Sequence, residues 1–160
     1  MLPRSVGRTT RGRNNMEYKT AQRDDLPELI ELYRQLNPEE KPIDLEKAYS
    51  VWDTTEKSNT TRYFIALDGS KVVSTCNITL VPNLTRNGRS FAIIENVITD
   101  DKYRRQGIGK RVILNAVHYA KENNCYKVVL LSSSKRTESH RFYESLGFNG
   151  DSKKGFEIRF

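Results

Sequence analysis

A chain of 160 residues suits one compact domain, because that length already buries most of the surface it would expose unfolded. Eight Tyr, six Phe and one Trp beside a hydrophobic fraction of 36% exclude a wholly disordered chain, and no apolar run approaches the roughly 18 residues of a membrane span. The formal charge of +7 points toward nucleic acid, but residues 1–15 hold Arg4, Arg8, Arg11 and Arg13 with no acid, and the remainder carries 23 basic against 20 acidic residues.

Residues 1–15 lack apolar periodicity and the hydrophobic stretch of a signal peptide, so they read as a disordered leader or expression remnant ahead of a domain at 16–160. Cys76 and Cys125 read as small buried hydrophobes in a reducing compartment, and the expected location is the cytoplasm. From Asp24, a capping residue precedes Leu26, Leu29, Ile30, Tyr33 and Leu36 at helical spacing, which predicts a first amphipathic helix ending at Asn37-Pro38. Asp44 caps a second helix with Leu45, Ala48, Tyr49 and Trp52. Strands follow at 63–67 and 71–81, joined by Asp68-Gly69-Ser70, and a turn near Asn87-Gly88 leads to a third at 91–99. The pattern then predicts a long helix over about 107–123, a strand over 126–132, a helix over 137–146 and a closing strand near 156–160. Helices on a mixed sheet make an α/β (α+β) fold.

The junction at the start of the long helix is the most telling. Its first N–H groups have no intrahelical partner and carry the positive end of the helix dipole, so an anion is bound there where side chains stand aside. Gly107 and Gly109 stand aside, and Arg104, Arg105 and Lys110 add cationic charge suited to phosphate. A dinucleotide-binding turn needs a third glycine where Val112 stands, and a parallel unit before it. A P-loop needs glycine at Arg104 and Ser or Thr at Arg111. Neither motif is present.

The run Glu95-Asn96-Val97-Ile98-Thr99-Asp100-Asp101-Lys102-Tyr103-Arg104-Arg105-Gln106-Gly107-Ile108-Gly109-Lys110 resembles motif A of the GNAT (Gcn5-related N-acetyltransferase) superfamily, and Phe142-Tyr143-Glu144-Ser145-Leu146-Gly147-Phe148 resembles its motif B. The resemblance covers 16–160 and implies a mixed, mostly antiparallel sheet, splayed near its middle and flanked by helices, with acetyl-CoA as co-substrate and no metal. It further implies that backbone groups of Val97, Ile98 and Thr99 pair with the pantetheine arm, that Arg104, Arg105, Gln106, Gly107, Ile108, Gly109 and Lys110 hold the diphosphate, and that Tyr143 protonates the leaving thiolate. A phenol suits that task, since its ordinary pKa of about 10 lies near that of a thiol at about 8.5. Read without the motif, Tyr143 is a core aromatic beside Phe142.

Strand alternation puts Glu95 on the face of Phe91, Ile93 and Val97, an apolar setting in which a carboxylate is costly unless paired. It is the candidate acceptor-side acid, taking up or orienting the amine with Asn96 beside it; a salt-bridged strand-edge carboxylate is the other reading. The spacing from Glu95 to Arg104 is similar to that in the glucosamine-phosphate members of the superfamily, which carry Asp where Asn96 stands. Arg136 occupies a position where many members have Asn, and it is a candidate contact for a CoA phosphate or part of a solvated basic turn. His118 and His140 have no second ligand at metal spacing.

The function expected is acetyl transfer from acetyl-CoA to a primary amine of a small molecule, with peptide amines and a non-catalytic CoA sensor as alternatives. Glu28, Glu31, Glu39, Glu40 and Glu46 make the acceptor-side helices acidic, which suits a cationic acceptor or an ordinary solvated face. Basic residues are too dispersed for a nucleic-acid surface, no membrane partner is expected, and a homodimer is.

Overall fold

The computed structural model describes residues 16–160, so the leader read at 1–15 lies outside the described residues. Strand β1 (Met16–Thr20) opens the described fold and is not among the strands expected from the sequence. A turn of 3-10 helix at Arg23–Asp25 leads into α1 (Leu26–Tyr33), with Pro27 in its first turn where a missing N–H costs nothing. Helix α2 (Leu45–Ser58) begins where Asp44 accepts from the Lys47 amide at 2.9 Å and ends on Asn59 in the left-handed conformation, φ 54°.

Next come β2 (Thr61–Asp68), β3 (Lys71–Val81) and β4 (Phe91–Thr99). The reversal between β2 and β3 is made by Gly69 at φ 61°, a backbone state that glycine enters without steric cost. Helix α3 (Ile108–Glu122) crosses to β5 (Val128–Leu130), and α4 (Thr137–Ser145) follows. The sheet order is β1-β2-β3-β4-β5, an antiparallel meander of four strands with β5 added parallel to β4.

Period-two alternation divides the core between the two faces. Phe64, Ala66, Val73, Cys76, Ile78, Ala92 and Ile94 pack against Ile108, Val112, Ile113, Ala116 and Ala120 of α3. On the opposite face Ile65, Leu67, Val72 and Ile98 pack against Leu26, Leu29 and Leu32 of α1 and Ala48 and Trp52 of α2. A helix–sheet–helix stack results, with β4 central enough to present one side chain to each layer.

The closing strand expected near 156–160 does not form. Phe156, Ile158 and Phe160 alternate as a strand would, but they are exposed and their backbone joins no ladder. Alternation supplies a face, whereas a strand also requires a partner for its N–H and C=O groups. The strand read over 126–132 likewise shortens to Val128–Leu130.

Candidate active site

β4 is paired with β3 along most of its length, but with β5 only from Ala92 to Ile94, opposite Val128 to Leu130. Beyond Leu130 the two strands part, and from Glu95 to Thr99 the backbone groups of β4 that turn away from β3 have no strand to bond. This gap is the splay that the resemblance implied, and its edge fits an extended amide-bearing ligand as an added strand would.

At the end of β4 the chain makes a 3-10 turn over Asp101–Tyr103 and then the loop Arg104–Gly107. Arg105 and Gly107 adopt left-handed backbones, φ 61° and 77°, with Gln106 between them, and α3 starts immediately after Gly107. Alternating handedness turns successive N–H groups toward one side, so the loop and the first turn of α3 make a concave set of donors. Arg104 is held back from that set: its Nε donates to the Thr99 carbonyl at 3.1 Å and its guanidinium pairs with Asp101 at 2.6 Å. Gln106 is also tied to the loop, donating to the Lys102 carbonyl at 3.2 Å. Ile108 is buried in the core, so Arg105, Gly107, Gly109 and Lys110, with the Gln106 backbone, are left as the open rim over one apolar anchor. A Cβ at Gly109 would lie 2.8 Å from Thr99 Oγ1, so only glycine lets the helix start approach β4 this closely.

Helix α4 lays Phe142 and Tyr143 against the same end of the sheet, with ring centroids 5.4 Å apart, and Phe148 meets Tyr143 edge-on at 6.1 Å. Burial pushes the Tyr143 phenol above the usual phenol range; Cys76 and Glu95 push the same way and Arg136 opposes them. Glu95 of β4 and Arg136 at the α4 N-cap therefore both act on the Tyr143 phenol, with opposite sign. Burial also pushes the Cys76 thiol up to about 12, so it is an uncharged part of the site floor and no thiolate nucleophile.

Two expectations about β4 need correction. Glu95 is exposed, and Val97 packs toward α3 while Ile98 packs toward α1 and α2, so Val97 does not share the face of Glu95. The cause is a bulge: the β3–β4 register slips between Thr75 and Asn77, Asn96 takes φ 52°, and its side chain donates to Asn77 Oδ1 at 2.9 Å. Glu95 pairs with Asn77 just before the slip, at the mouth of the splay, which leaves its carboxylate in water.

Residues 26–148 match the model of the Acetyltransferase (GNAT) family. The chain belongs to that family. It is 30% identical over 141 residues to the glucosamine 6-phosphate N-acetyltransferase of Trypanosoma brucei brucei, covering 88% of this chain and 93% of that protein. A solved structure described as a putative acetyltransferase from Agrobacterium tumefaciens str. C58 superposes with a TM-score of 0.85 at 39% identity, covering 90% of this chain and 99% of that one. N-alpha-acetyltransferase 30 of Xenopus laevis is 30% identical over 121 residues, 69% of this chain and 40% of that protein. This chain is thus an N-acetyltransferase of a family that draws its acetyl group from acetyl-CoA, and the unpaired β4 edge and the open amides of the loop are a fit for that substrate.

Within this GNAT domain, three participants escaped the sequence reading. Asn77 supports the bulge, and the only sequence signal was an Asn pair, Asn77 and Asn96, inside two β-rich runs. Ser74 shares a hydroxyl bond of 2.8 Å with the expected Thr99 beneath Gly109, and Asp100 is buried at the root of the loop. Among the described residues no helix is long and apolar enough to cross a membrane, and no group of three His, Cys, Asp or Glu side chains is placed to hold a metal. His118 pairs with Glu122 at 3.2 Å and His140 bonds the Ser133 carbonyl at 2.9 Å.

Proposed function

We propose that this protein acetylates a primary amine on a small polar molecule by direct attack of the amine on the thioester of acetyl-CoA. The observation that carries the reading is the unpaired edge of β4 from Glu95 to Thr99, open beyond the end of β5, with the half-buried Tyr143 of α4 packed into the same layer as Val97. Acetyl-CoA supplies an activated acetyl carbon and a leaving sulfur. Glu95, facing solvent, draws in the ammonium and takes its proton directly or through water. Backbone groups of Val97, Ile98 and Thr99 align the thioester along the free edge of β4, while the amides from Arg105 to Lys110 and the charge of Arg105, Lys110 and Arg136 hold the phosphates. As the new C–N bond forms and the C–S bond breaks, the nitrogen loses its second proton to water, Tyr143 gives its phenolic proton to the departing sulfur and recovers one from solvent, and Glu95 releases the proton it took. Because burial raises its pKa, the phenol enters each cycle protonated.

Similarity to a glucosamine 6-phosphate N-acetyltransferase over most of both chains supports a small-molecule acceptor. Asn96 departs from the Asp expected at the acceptor side of such enzymes, and Asn77 holds its amide by a hydrogen bond, which supports a different set of contacts to the acceptor. The test is thiol release from acetyl-CoA over a panel of amino sugars, amino-sugar phosphates, aminoglycosides, polyamines and N-terminal peptides. A small amine is expected to give the highest kcat/KM, and turnover confined to the peptides would overturn the reading. Tyr143→Phe should lower kcat by about 10²-fold with acetyl-CoA affinity unchanged, and an unaltered kcat would remove Tyr143 from the acid role.

A further inference from the structure

Asp100 is the one ionisable side chain among the buried polar residues of the described chain, 3% exposed at the junction of β4 and the anion loop. A carboxylate is costly there unless each lone pair is used. Lys71 reaches Oδ2 at 2.7 Å, Gln35 Nε2 donates to the same oxygen at 3.2 Å, and the Lys102 amide donates to Oδ1 at 2.9 Å. The Gln35 side chain has a second grip, its Oε1 accepting the Asp101 amide at 3.2 Å. One amide side chain therefore holds both the carboxylate and the backbone of the next residue. The same turn is tied to the β2–β3 hairpin a second time, since Tyr103 donates to Asp68 at 2.7 Å and its own amide donates to the Asp100 carbonyl at 2.8 Å.

These partners come from outside the anion loop, Lys71 from the start of β3 and Gln35 from the end of α1. Gln35 follows directly on α1, where its amide donates to the Leu32 carbonyl at 3.0 Å, and α1 packs Leu29 and Leu32 into the same core as Ile98 of β4. None of the residues in the clamp belongs to the open rim at Arg105–Lys110, so they act on the loop only through its root. We infer that Gln35 and Lys71, gripping Asp100, are positioning residues that set the angle of the anion loop and couple it to α1 on the acceptor side. The inference rests on reading Arg104–Lys110 as the acetyl-CoA phosphate loop.

The experiment measures acetyl-CoA Kd by calorimetry and kcat at saturating acetyl-CoA for the full chain carrying Gln35→Leu, Gln35→Asn or, as a loop control, Gly107→Ala. Leu removes both bonds of the clamp, and Asn retains the amide on a side chain too short to span its two partners. Both should weaken acetyl-CoA binding by about tenfold, within the range of network substitutions that do not touch ligand, while kcat changes less than twofold because Tyr143 and Glu95 are untouched. Lys71→Arg, which keeps the charge on Asp100, should bind as the wild type does. If both Gln35 variants bind acetyl-CoA like wild type while Gly107→Ala weakens it, the positioning role is overturned and the loop reading stands. If Gly107→Ala also leaves Kd unchanged, the loop reading itself fails. A loss of kcat equal to the loss of affinity, or a collapse of Tm in both Gln35 variants, would assign Gln35 to general stability and overturn the inference.

Discussion

Gly109→Ala tests how the anion loop is held against the sheet. The added Cβ would meet Thr99 Oγ1 at 2.8 Å, a separation real Cβ atoms essentially never show, with Phe142 Cζ and Ser74 Oγ at 3.9 Å behind it. Thr99 cannot simply turn away. Its β-branched χ1 is restricted, and its hydroxyl is bonded to Ser74, itself buried under α3. Overpacking of this kind costs about 1–3 kcal/mol, while replacing a helical glycine by alanine returns about 1 kcal/mol. The net loss is about 1 kcal/mol, or a fall in Tm of about 2–4 °C for a domain of this size. Acetyl-CoA affinity should fall further, because the start of α3 must move off β4 and carry its free N–H groups with it. Thr99→Ala removes the clashing oxygen, so Thr99→Ala/Gly109→Ala should recover affinity that Gly109→Ala alone loses. Thermal unfolding and calorimetric titration of acetyl-CoA over the double-mutant cycle measure this coupling. Additive effects on both would show that the close approach of Gly109 to Thr99 does not position the loop.

Burial raises the Tyr143 phenol above its ordinary pKa, so it stays protonated past about pH 10; kcat should hold through the mildly alkaline range, and a decline centred below pH 9 that disappears in Tyr143→Phe would refute the acid role. The Lys71 ammonium beside Asp100 holds that carboxyl below the usual carboxylate range, so its stabilisation is present above about pH 4 and is lost as pH falls through the depressed folded value. Tm measured against pH should therefore fall less on acidification in Asp100→Asn than in wild type, and parallel curves would rule that out. Leu29, 1% exposed in α1, should cost about 2–5 kcal/mol on truncation to Ala by urea unfolding, with Tyr143 chemistry intact in the folded fraction; a change under 1 kcal/mol would mean α1 is not anchored as described.

The donor side of the site was legible in the sequence because it is local. Gly107, Gly109 and the buried stripe from Ile108 through Val112, Ile113, Ala116 and Ala120 lie in one continuous stretch, and helix periodicity with two glycines determines where the open amides fall. Asp44 marked the start of α2 in the same way, by a capping bond three residues long. What escaped was non-local. Asp100 meets Gln35 across 65 residues and Lys71 across 29, and nothing in the spacing of those three residues distinguishes them from surface charges. β1 was missed because a strand at the edge of a meander is defined by its partner β2, and 156–160 was overread for the converse reason.

Asn96 shows why alternation misled at the point that matters most. A regular β4 would keep Glu95 and Val97 on one face, and the reacting end of the strand would then serve only one layer of the fold. One residue in the left-handed conformation, tolerable for Asn and costly for most others, breaks that phase: Ile94 and Val97 both pack toward α3, while Ile98 turns to the side of α1 and α2 and Glu95 stays exposed. The slip falls where β4 has also lost its other neighbour, since β5 ends at Leu130 opposite Ile94. A single backbone irregularity thus separates Glu95 from the edge at Val97–Thr99, and the bond from Asn96 to Asn77 ties that irregularity to the neighbouring strand rather than leaving it to the loop beyond.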